Sequence, residues 1–339
     1  MLTRREILRR SAGIAAAVAG GRLLAPYLAP SAFARQVAPL PPPETTTIRL
    51  GALACDHPVF ASEAFLQQEG FTRTEIVAGR QLASGRMDID VAFTVFDIAQ
   101  LLEDGQRPVV FAALHPGCVE IWAQPGINAL QDLRGRTLVV QSKTLGNVGY
   151  SYPAIALKHA GVDPAQVNWV VQPDANPVNL FLEGRNDAVY AAQAGTGALH
   201  ANPANRGHVI HSQLMERPWS TLPCCLLVAK QEWYRANSVA AKRAVRAILR
   251  AADAQTSSRF DAVKSVTDRG LFGGPANFNN VLYAASMVPA NWRDLDVERS
   301  IRFYGQLLAD VGLTKVSVED MVRTIDLRIL QELRAELRS

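Results

Sequence analysis

The sequence predicts an α/β protein of two lobes with a helical C-terminal extension, and three observations lead there. Short apolar strands alternate with short helices from Ile48 to Ala191, the order that builds sheets covered by helices. The alternation halts at His115-Pro116-Gly117 and then starts afresh, which gives two units of similar order. From Gln231 onward the pattern is almost wholly helical. A chain of 339 residues is long enough for two domain-sized bodies. Its 48% hydrophobic content excludes disorder as the main state. No uninterrupted apolar stretch reaches ~18 residues, which excludes a polytopic membrane protein.

The chain opens on Thr3-Arg4-Arg5-Glu6-Ile7-Leu8-Arg9, passes through a weakly apolar segment from Ala12 to Gly21, and reaches Ala32-Phe33-Ala34. Basic, apolar and small-residue regions in that order predict an export signal over residues 1–34. The paired arginines, preceded by Thr3 and followed by Ile7-Leu8, resemble the twin-arginine class. This segment carries five arginines against Glu6, which accounts for the formal charge of +4. The remainder holds 30 basic and 30 acidic residues and is neutral, so the electrostatic footprint of a nucleic-acid binder is missing. Residues 35–47, with Pro39 and Pro41-Pro42-Pro43 before Thr45-Thr46-Thr47, predict a stiff, extended linker.

Ile48 to Ala54 predicts a first buried strand, Val59 to Gln68 a helix, Thr74 to Val77 a second strand and Arg80 to Ser84 a short helix stopped by Gly85. Ile89 to Phe93 and Val109 to Leu114 are strands around a helix from Asp97 to Glu103. The second unit follows: strands at Val119–Ala123, Thr137–Gln141, Val167–Val171 and Ala188–Ala191, with helices at Asn128–Leu133, Asn147–Ala160 and Asn176–Glu183. Both sheets are expected to be parallel. Cys224 to Ala229 is a strand that returns to the first unit. Helices are then expected over Gln231–Thr256, whole or broken, and over Asp296–Val311 and Ser317–Leu337. Lobe 1 is therefore 48–117 with 222–339, and lobe 2 is 118–221.

Export implies an oxidising compartment, where cysteines can pair. Cys224 and Cys225 are neighbours, and a bridge between neighbours is strained. Cys55 and Cys118 pair only if their strand ends meet. Four cysteines without zinc-ligand spacing are otherwise small buried hydrophobes, and neither a metal nor a cofactor is expected. Two α/β units joined by a double crossing place a cleft at strand carboxyl ends and helix N-termini. Asp56 and His57 follow the first strand there. Ser142-Lys143-Thr144-Leu145-Gly146-Asn147 lies between a strand and a helix start, where hydroxyls and backbone N–H groups suit an anion; the same residue types also cap helices. Trp219 sits at the return crossing, as an aromatic wall or a hinge plug.

Several segments in these loops resemble one known family. Arg86-Met87-Asp88-Ile89-Asp90-Val91-Ala92-Phe93 resembles its "G-x-x-D-hydrophobic-small" strand. Leu130-Gln131-Asp132-Leu133-Arg134-Gly135-Arg136 resembles its "L-x-D-L-x-G-K" entry to the second lobe, and Gly184-Arg185-Asn186-Asp187-Ala188 its "G-x-x-D-A" turn. With Pro218-Trp219-Ser220, Cys224-Cys225, Trp292-Arg293 and Ile301-Arg302-Phe303-Tyr304, they resemble the nitrate/sulfonate/taurine group of ABC-transporter solute-binding proteins. That group also includes binders of thiamine pyrimidine precursors.

The resemblance runs from Ile48 to the C-terminus. It implies a type II periplasmic-binding-protein architecture, a periplasmic monomer, and capture of a small solute for delivery to a permease and its ATPase. It also implies ligand contacts from Thr94 and Phe96 in the first lobe and from Tyr190 and Gln193 in the second. Taurine-type members are expected to carry a carboxylate near Gln193, and its absence here points away from taurine. Two alternatives share the fold: a periplasmic sensor module and a pyrimidine synthase. No Gly-x-Ser-x-Gly, His-Glu-x-x-His or P-loop is present, so a non-enzyme is expected.

Overall fold

A computed structural model describes residues 40–79, 81–287 and 291–337. The predicted signal segment, the linker up to residue 39 and Arg80 lie outside the described residues. Among those described, no helix is long and apolar enough to cross a membrane.

Strands β1 (Thr47–Ala52) and β2 (Arg73–Ala78) pair in parallel, with Thr47 opposite Arg73. A parallel bridge between Leu50 and Ile89 brings in β3 (Asp90–Phe93). β4 (Pro108–Pro116) is separated from β3 by β10 (Pro223–Lys230), which runs antiparallel to both. The order is thus β2-β1-β3-β10-β4.

Residues 118–221 repeat the plan. β5 (Val119–Ala123) lies antiparallel between β8 (Ala188–Ala192) and β9 (His208–Ser212), while β6 (Thr137–Val140) pairs in parallel with β7 (Asn168–Val171). The Thr137 N–H donates to the Asp187 carboxylate at 2.7 Å and the Val139 N–H to Asn186 Oδ1 at 2.9 Å, which holds β6 beside the start of β8. Each sheet was expected to be parallel; each instead contains one opposed strand. β5 and β10 are the two strands that have just crossed from the other unit, and they enter their new sheet from the opposite direction. β4 and β5 are buried at every residue: β5 lies in the middle of its sheet, and β4, at the end of its own, is covered by the C-terminal helices.

The crossing from β4 to β5 passes through Gly117. A Cβ there would lie 2.0 Å from Gln213 Cβ, so no side chain fits at this corner.

The predicted helix over 59–68 is two short ones, α1 (His57–Phe60) and α2 (Glu63–Gln68). The helix expected over 80–84 is a single turn at Leu82–Ser84. α3 (Thr94–Glu103) follows β3 without a loop, so Thr94-Val95-Phe96, expected as a loop, forms its first turn. In the second unit the turn Leu130–Leu133 precedes α4 (Val148–His159) and α5 (Pro177–Leu182), and Asn176 Oδ1 caps α5 by accepting from the Val178 and Asn179 N–H groups. α6 (Ala194–Ala201) was not expected.

The extension comprises α7 (Gln231–Ala236), α8 (Ser238–Asp253), α9 (Gln255–Asp268), α10 (Phe278–Met287), α11 (Val297–Asp310), α12 (Val318–Val322) and α13 (Arg328–Glu336). The helix expected over 317–337 divides because the chain between α12 and α13 is drawn to the edge of β4. There the Val110 N–H donates to Thr324 O at 2.9 Å and the Asp326 N–H to Val110 O at 2.8 Å.

Ion pairs tie this extension to the rest. Arg246 places two N–H groups on the buried Glu69 carboxylate at 2.6 and 2.8 Å, joining α8 to the end of α2. Lys242 reaches Glu332 and Glu336 at 2.6 Å each, joining α8 to α13. Breaking a pair of this kind by removing one partner strands the other charge. Part of the linker is fixed in the same way. The Glu44 carboxylate accepts from the Val239 and Ala240 N–H groups at 3.0 and 2.8 Å, and Pro41 O accepts from Arg243 at 2.9 Å. Burial pushes the Glu44 carboxyl up, but these N–H groups outweigh it and hold it below its ordinary value.

Glu44→Gln is expected to cost about 0.5–1 kcal/mol at neutral pH, the scale of a charge at a helix N-terminus. Because the native carboxyl titrates below the unfolded one, its contribution is full above the ordinary carboxylate value and fades as pH falls through the native one. Urea denaturation should therefore show wild type and variant converging in acid.

Candidate functional site

A cavity of about 460 Å³ opens in the second unit, at the carboxyl ends of β6 and β8 and the start of α4. Ser142, Thr144, Asn147, Gly149 and Tyr190 are among its lining residues, with no acidic or basic side chain in the lining. The Ser142 and Thr144 hydroxyls lie 2.9 Å apart. Asn147 occupies the N-cap of α4 without donating or accepting a capping bond through its side chain. The first-turn N–H groups of an α-helix have no intrahelical acceptor, so Val148 and Gly149 present donors beside the amide of Asn147. The Tyr190 ring packs 5.8 Å from Tyr152. Lys143 is exposed and not among the lining residues. The structure thus gathers Ser142, Thr144, Asn147 and Tyr190 from the predicted set at one cavity.

A second assembly lies wholly in the interior, where the ends of β1 and β4, the start of β5 and the start of β10 converge. The Asp56 carboxylate accepts from the Leu53 N–H at 2.8 Å and faces His115 Nε2 at 3.1 Å. Burial alone would push His115 toward its neutral form; Asp56 and the Cys55 thiol outweigh it and raise the ring to about 10. All four cysteines are free and buried here. Their sulfur atoms form a ring: Cys55 to Cys118 at 3.6 Å, Cys118 to Cys224 at 3.3 Å, Cys224 to Cys225 at 3.7 Å and Cys225 to Cys55 at 4.0 Å. The strand ends carrying Cys55 and Cys118 do meet, and Cys224 and Cys225 join them. His57 is 1% exposed, and neither ring nitrogen has a partner among the described residues. Burial, with the charges of Arg259 and His115, lowers it to about 3 and keeps it neutral.

The remaining predicted residues lie apart from the cavity. Phe96 is buried between Tyr152 and Tyr304, with ring centroids at 6.5 and 6.3 Å. Trp219, 2% exposed, packs on Phe303 at 4.9 Å, Tyr304 at 5.4 Å and Tyr152 at 5.7 Å. Behind it Tyr152 Oη, His211 and Glu216 form a hydrogen-bonded line, 2.8 Å at each step. Thr94 opens α3, and its side chain lies outside the described part of the structure. Gln193 takes a positive φ of 54° ahead of α6, and its Oε1 accepts from the Ala54 N–H at 3.4 Å, so it links the second unit to the end of β1. The cysteine ring escaped sequence reasoning because its members come from three separated segments. The doublet at 224–225 was the one local signal.

Two sets of five strands, β2-β1-β3-β10-β4 and β7-β6-β8-β5-β9, joined by two crossings, make the two-lobed fold of the periplasmic binding proteins. A model of the NMT1/THI5-like family matches residues 110–258. The structure is similar to the periplasmic nitrate-binding protein NrtA from Synechocystis PCC 6803, at 14% identity over 88% of this chain and 90% of that one, with a TM-score of 0.69. It is similar to the alkanesulfonate-binding protein SsuA from Xanthomonas axonopodis pv. citri bound to MOPS, at 15% identity over 84% and 99% of the two chains, with a TM-score of 0.64. The desulfurization enzyme DszB also shares the fold, at 15% identity over 86% and 99%, with a TM-score of 0.57. No curated protein matches in sequence. At such identities the likeness is one of fold.

Tyr152→Phe is expected to destabilise the protein by about 1–3 kcal/mol, because it strands a buried nitrogen of His211. Chemical denaturation followed by tryptophan fluorescence measures it. An unchanged midpoint would show that the Tyr152–His211–Glu216 line carries no stability.

Proposed function

We propose that the chain is the solute-binding component of an ABC importer, exported across the cytoplasmic membrane and capturing a small anion of the sulfonate or nitrate kind. The observation that carries this reading is the donor set of the cavity at the start of α4. Two hydroxyls, the amides of Gln141 and Asn147, a phenol and helix N-terminal N–H groups line it, with no carboxylate to repel an anion. Such donors bind an oxyanion by directed hydrogen bonds, and the helix dipole adds to them. A solute amine finds no counter-charge there, which disfavours taurine. The motifs, the family match over 110–258 and the shared fold all support delivery to a permease.

In this reading lobe 1 is 48–117 with 222–339 and lobe 2 is 118–221, and the solute draws the lobes together to the extent that it favours the closed state. So divided, the two lobes meet at a seam between α6 and α10. A Cβ on Gly197 of α6 would lie 2.7 Å from Asn280 O of α10, so the two backbones touch. His200 stacks on Tyr283 along the same seam, with centroids at 4.9 Å.

Thermal-shift screening of sulfonates, nitrate, bicarbonate, carboxylates and pyrimidines tests the reading. A true solute is expected to stabilise by about 2.7 kcal/mol at a hundredfold excess over its Kd. Ser142→Ala with Thr144→Ala should weaken that solute at least about tenfold, given the ~1.5–3 kcal/mol typical of a hydrogen bond to a charged group. Turnover of any compound in the screen would overturn the binding role.

Gly197→Val is expected to hold α6 away from α10 and weaken the same solute while the circular-dichroism spectrum stays native. Unchanged affinity by titration calorimetry would rule out closure along this seam.

A further inference from the structure

The interior thiols have no part in the solute reading, and their geometry is specific. Four sulfur atoms stand 3.3–4.0 Å from their ring neighbours. A disulfide requires about 2.05 Å. A tetrahedral site with metal–sulfur bonds of about 2.3 Å has edges of about 3.8 Å between its sulfurs, and Cys118–Cys224 at 3.3 Å and Cys224–Cys225 at 3.7 Å lie near that length. His115 Nδ1 or Nε2 and the sulfurs of Cys118, Cys224 and Cys225 all lie within 4.8 Å of one another, a complete set of four donors. Every member is buried: Cys118 is 3% exposed, His115 2%, and Cys224 and Cys225 0%.

Local structure has been bent to make this set. Neighbouring residues on a regular strand point to opposite faces. Cys224 and Cys225 nevertheless bring their sulfurs to 3.7 Å, because β10 is irregular there: its pairing with β4 steps from Pro223–Pro116 directly to Cys225–His115 and shifts again before Leu226. An irregularity of this kind re-aims side chains and recurs beside functional sites. The register also sets His115 opposite Cys225, while Gly117 turns the chain so that Cys118 follows three residues later. Asp56 stands on His115 Nε2, the position of the carboxylate that orients a metal-bound imidazole through its other nitrogen.

We propose that Cys118, Cys224 and Cys225, with His115 as fourth donor, bind one thiophilic d10 cation, Zn2+ or Cu+, in a closed structural site. His115 keeps Asp56 on Nε2 and turns Nδ1 from the Pro116 carbonyl, now at 2.6 Å, to the metal. The three thiols and His115 Nδ1–H give up their protons on binding, so the reaction exchanges protons for metal and needs no oxidant. Soft sulfur donors select against Mg2+ and Ca2+. The set has no solvent-facing position, so the metal holds structure. Cys55, 3.6 Å from Cys118, lines the site without completing it.

The test is metal analysis of the full chain purified anaerobically with a reductant and loaded with equal Zn2+ and Cu+. One metal per chain, retained through gel filtration, is expected, and the metal found tells zinc from copper. Loading Co2+ instead should give the intense thiolate-to-cobalt absorption and the visible bands of tetrahedral coordination. Cys224→Ser is expected to abolish both results, whereas Cys55→Ser should keep the stoichiometry. Where Cys224→Ser fails to fold, the cobalt spectrum of the unaltered chain decides alone. No retained metal and no cobalt–thiolate absorption would overturn the proposal, whether the cysteines then prove to be free thiols or disulfides.

Discussion

The seating of β10 between β3 and β4 is the constraint on which the rest depends. A strand of residues 223–230 supplies the hydrogen bonds that join two strands more than a hundred positions earlier. Without it the first sheet divides, and among the described residues β4 keeps no strand partner beyond an isolated bridge at Val110. The chain must therefore leave the first unit after β4, build an entire second sheet and come back before the first is finished. Seven of the eight residues of β10 are buried, so its insertion contributes apolar burial as well as hydrogen bonds. Contacts of such long sequence separation require costly loop closure before they stabilise anything.

The same return concentrates chemistry at one point. The end of β1, the end of β4 and the start of β10 deliver Asp56, His115 and the cysteine doublet to a common interior, while the cavity in the second unit holds only neutral donors. The buried Asp56–His115 pair and the neutral donors of the cavity are thus kept in different places. His57 remains neutral in the interior because nothing nearby rewards its charge. His115, one strand away, is shifted the opposite way, against its own burial, by a carboxylate and a thiol. Their opposite fates come from partners, since both rings are buried.

Much of this architecture was legible in the sequence. The segment 109–114 is a short run of apolar residues and 119–123 a second, broken only by Glu120, as strands of a sheet covered on both faces often are, and the structure has strands at both places. The Ser142–Asn147 loop was legible because small polar side chains between a strand and a helix have few uses besides capping and binding. Other features depend on tertiary contacts. The stretch 317–337 has good helical spacing throughout, yet Thr324 and Asp326 leave the helix to pair with Val110. α6 reads Ala-Gly-Thr-Gly-Ala at its start, with two glycines that weaken any helical pattern. Phe96 and Trp219 show why aromatic residues are hard to place, since a ring on a pocket wall and a ring in a core have the same sequence signature. The cysteines converge only through the irregular register of β10, which no spacing rule records.

The bare backbone contact at Gly197 has a mechanical consequence. Most joints between packed elements are toothed, so parting them obliges several side chains to abandon one set of rotamers for another. Here one helix rests on the peptide groups of its neighbour at this point, and separation there needs no such repacking. A joint of this sort is smooth, and its alignment is set by the flanking ring stack of His200 on Tyr283.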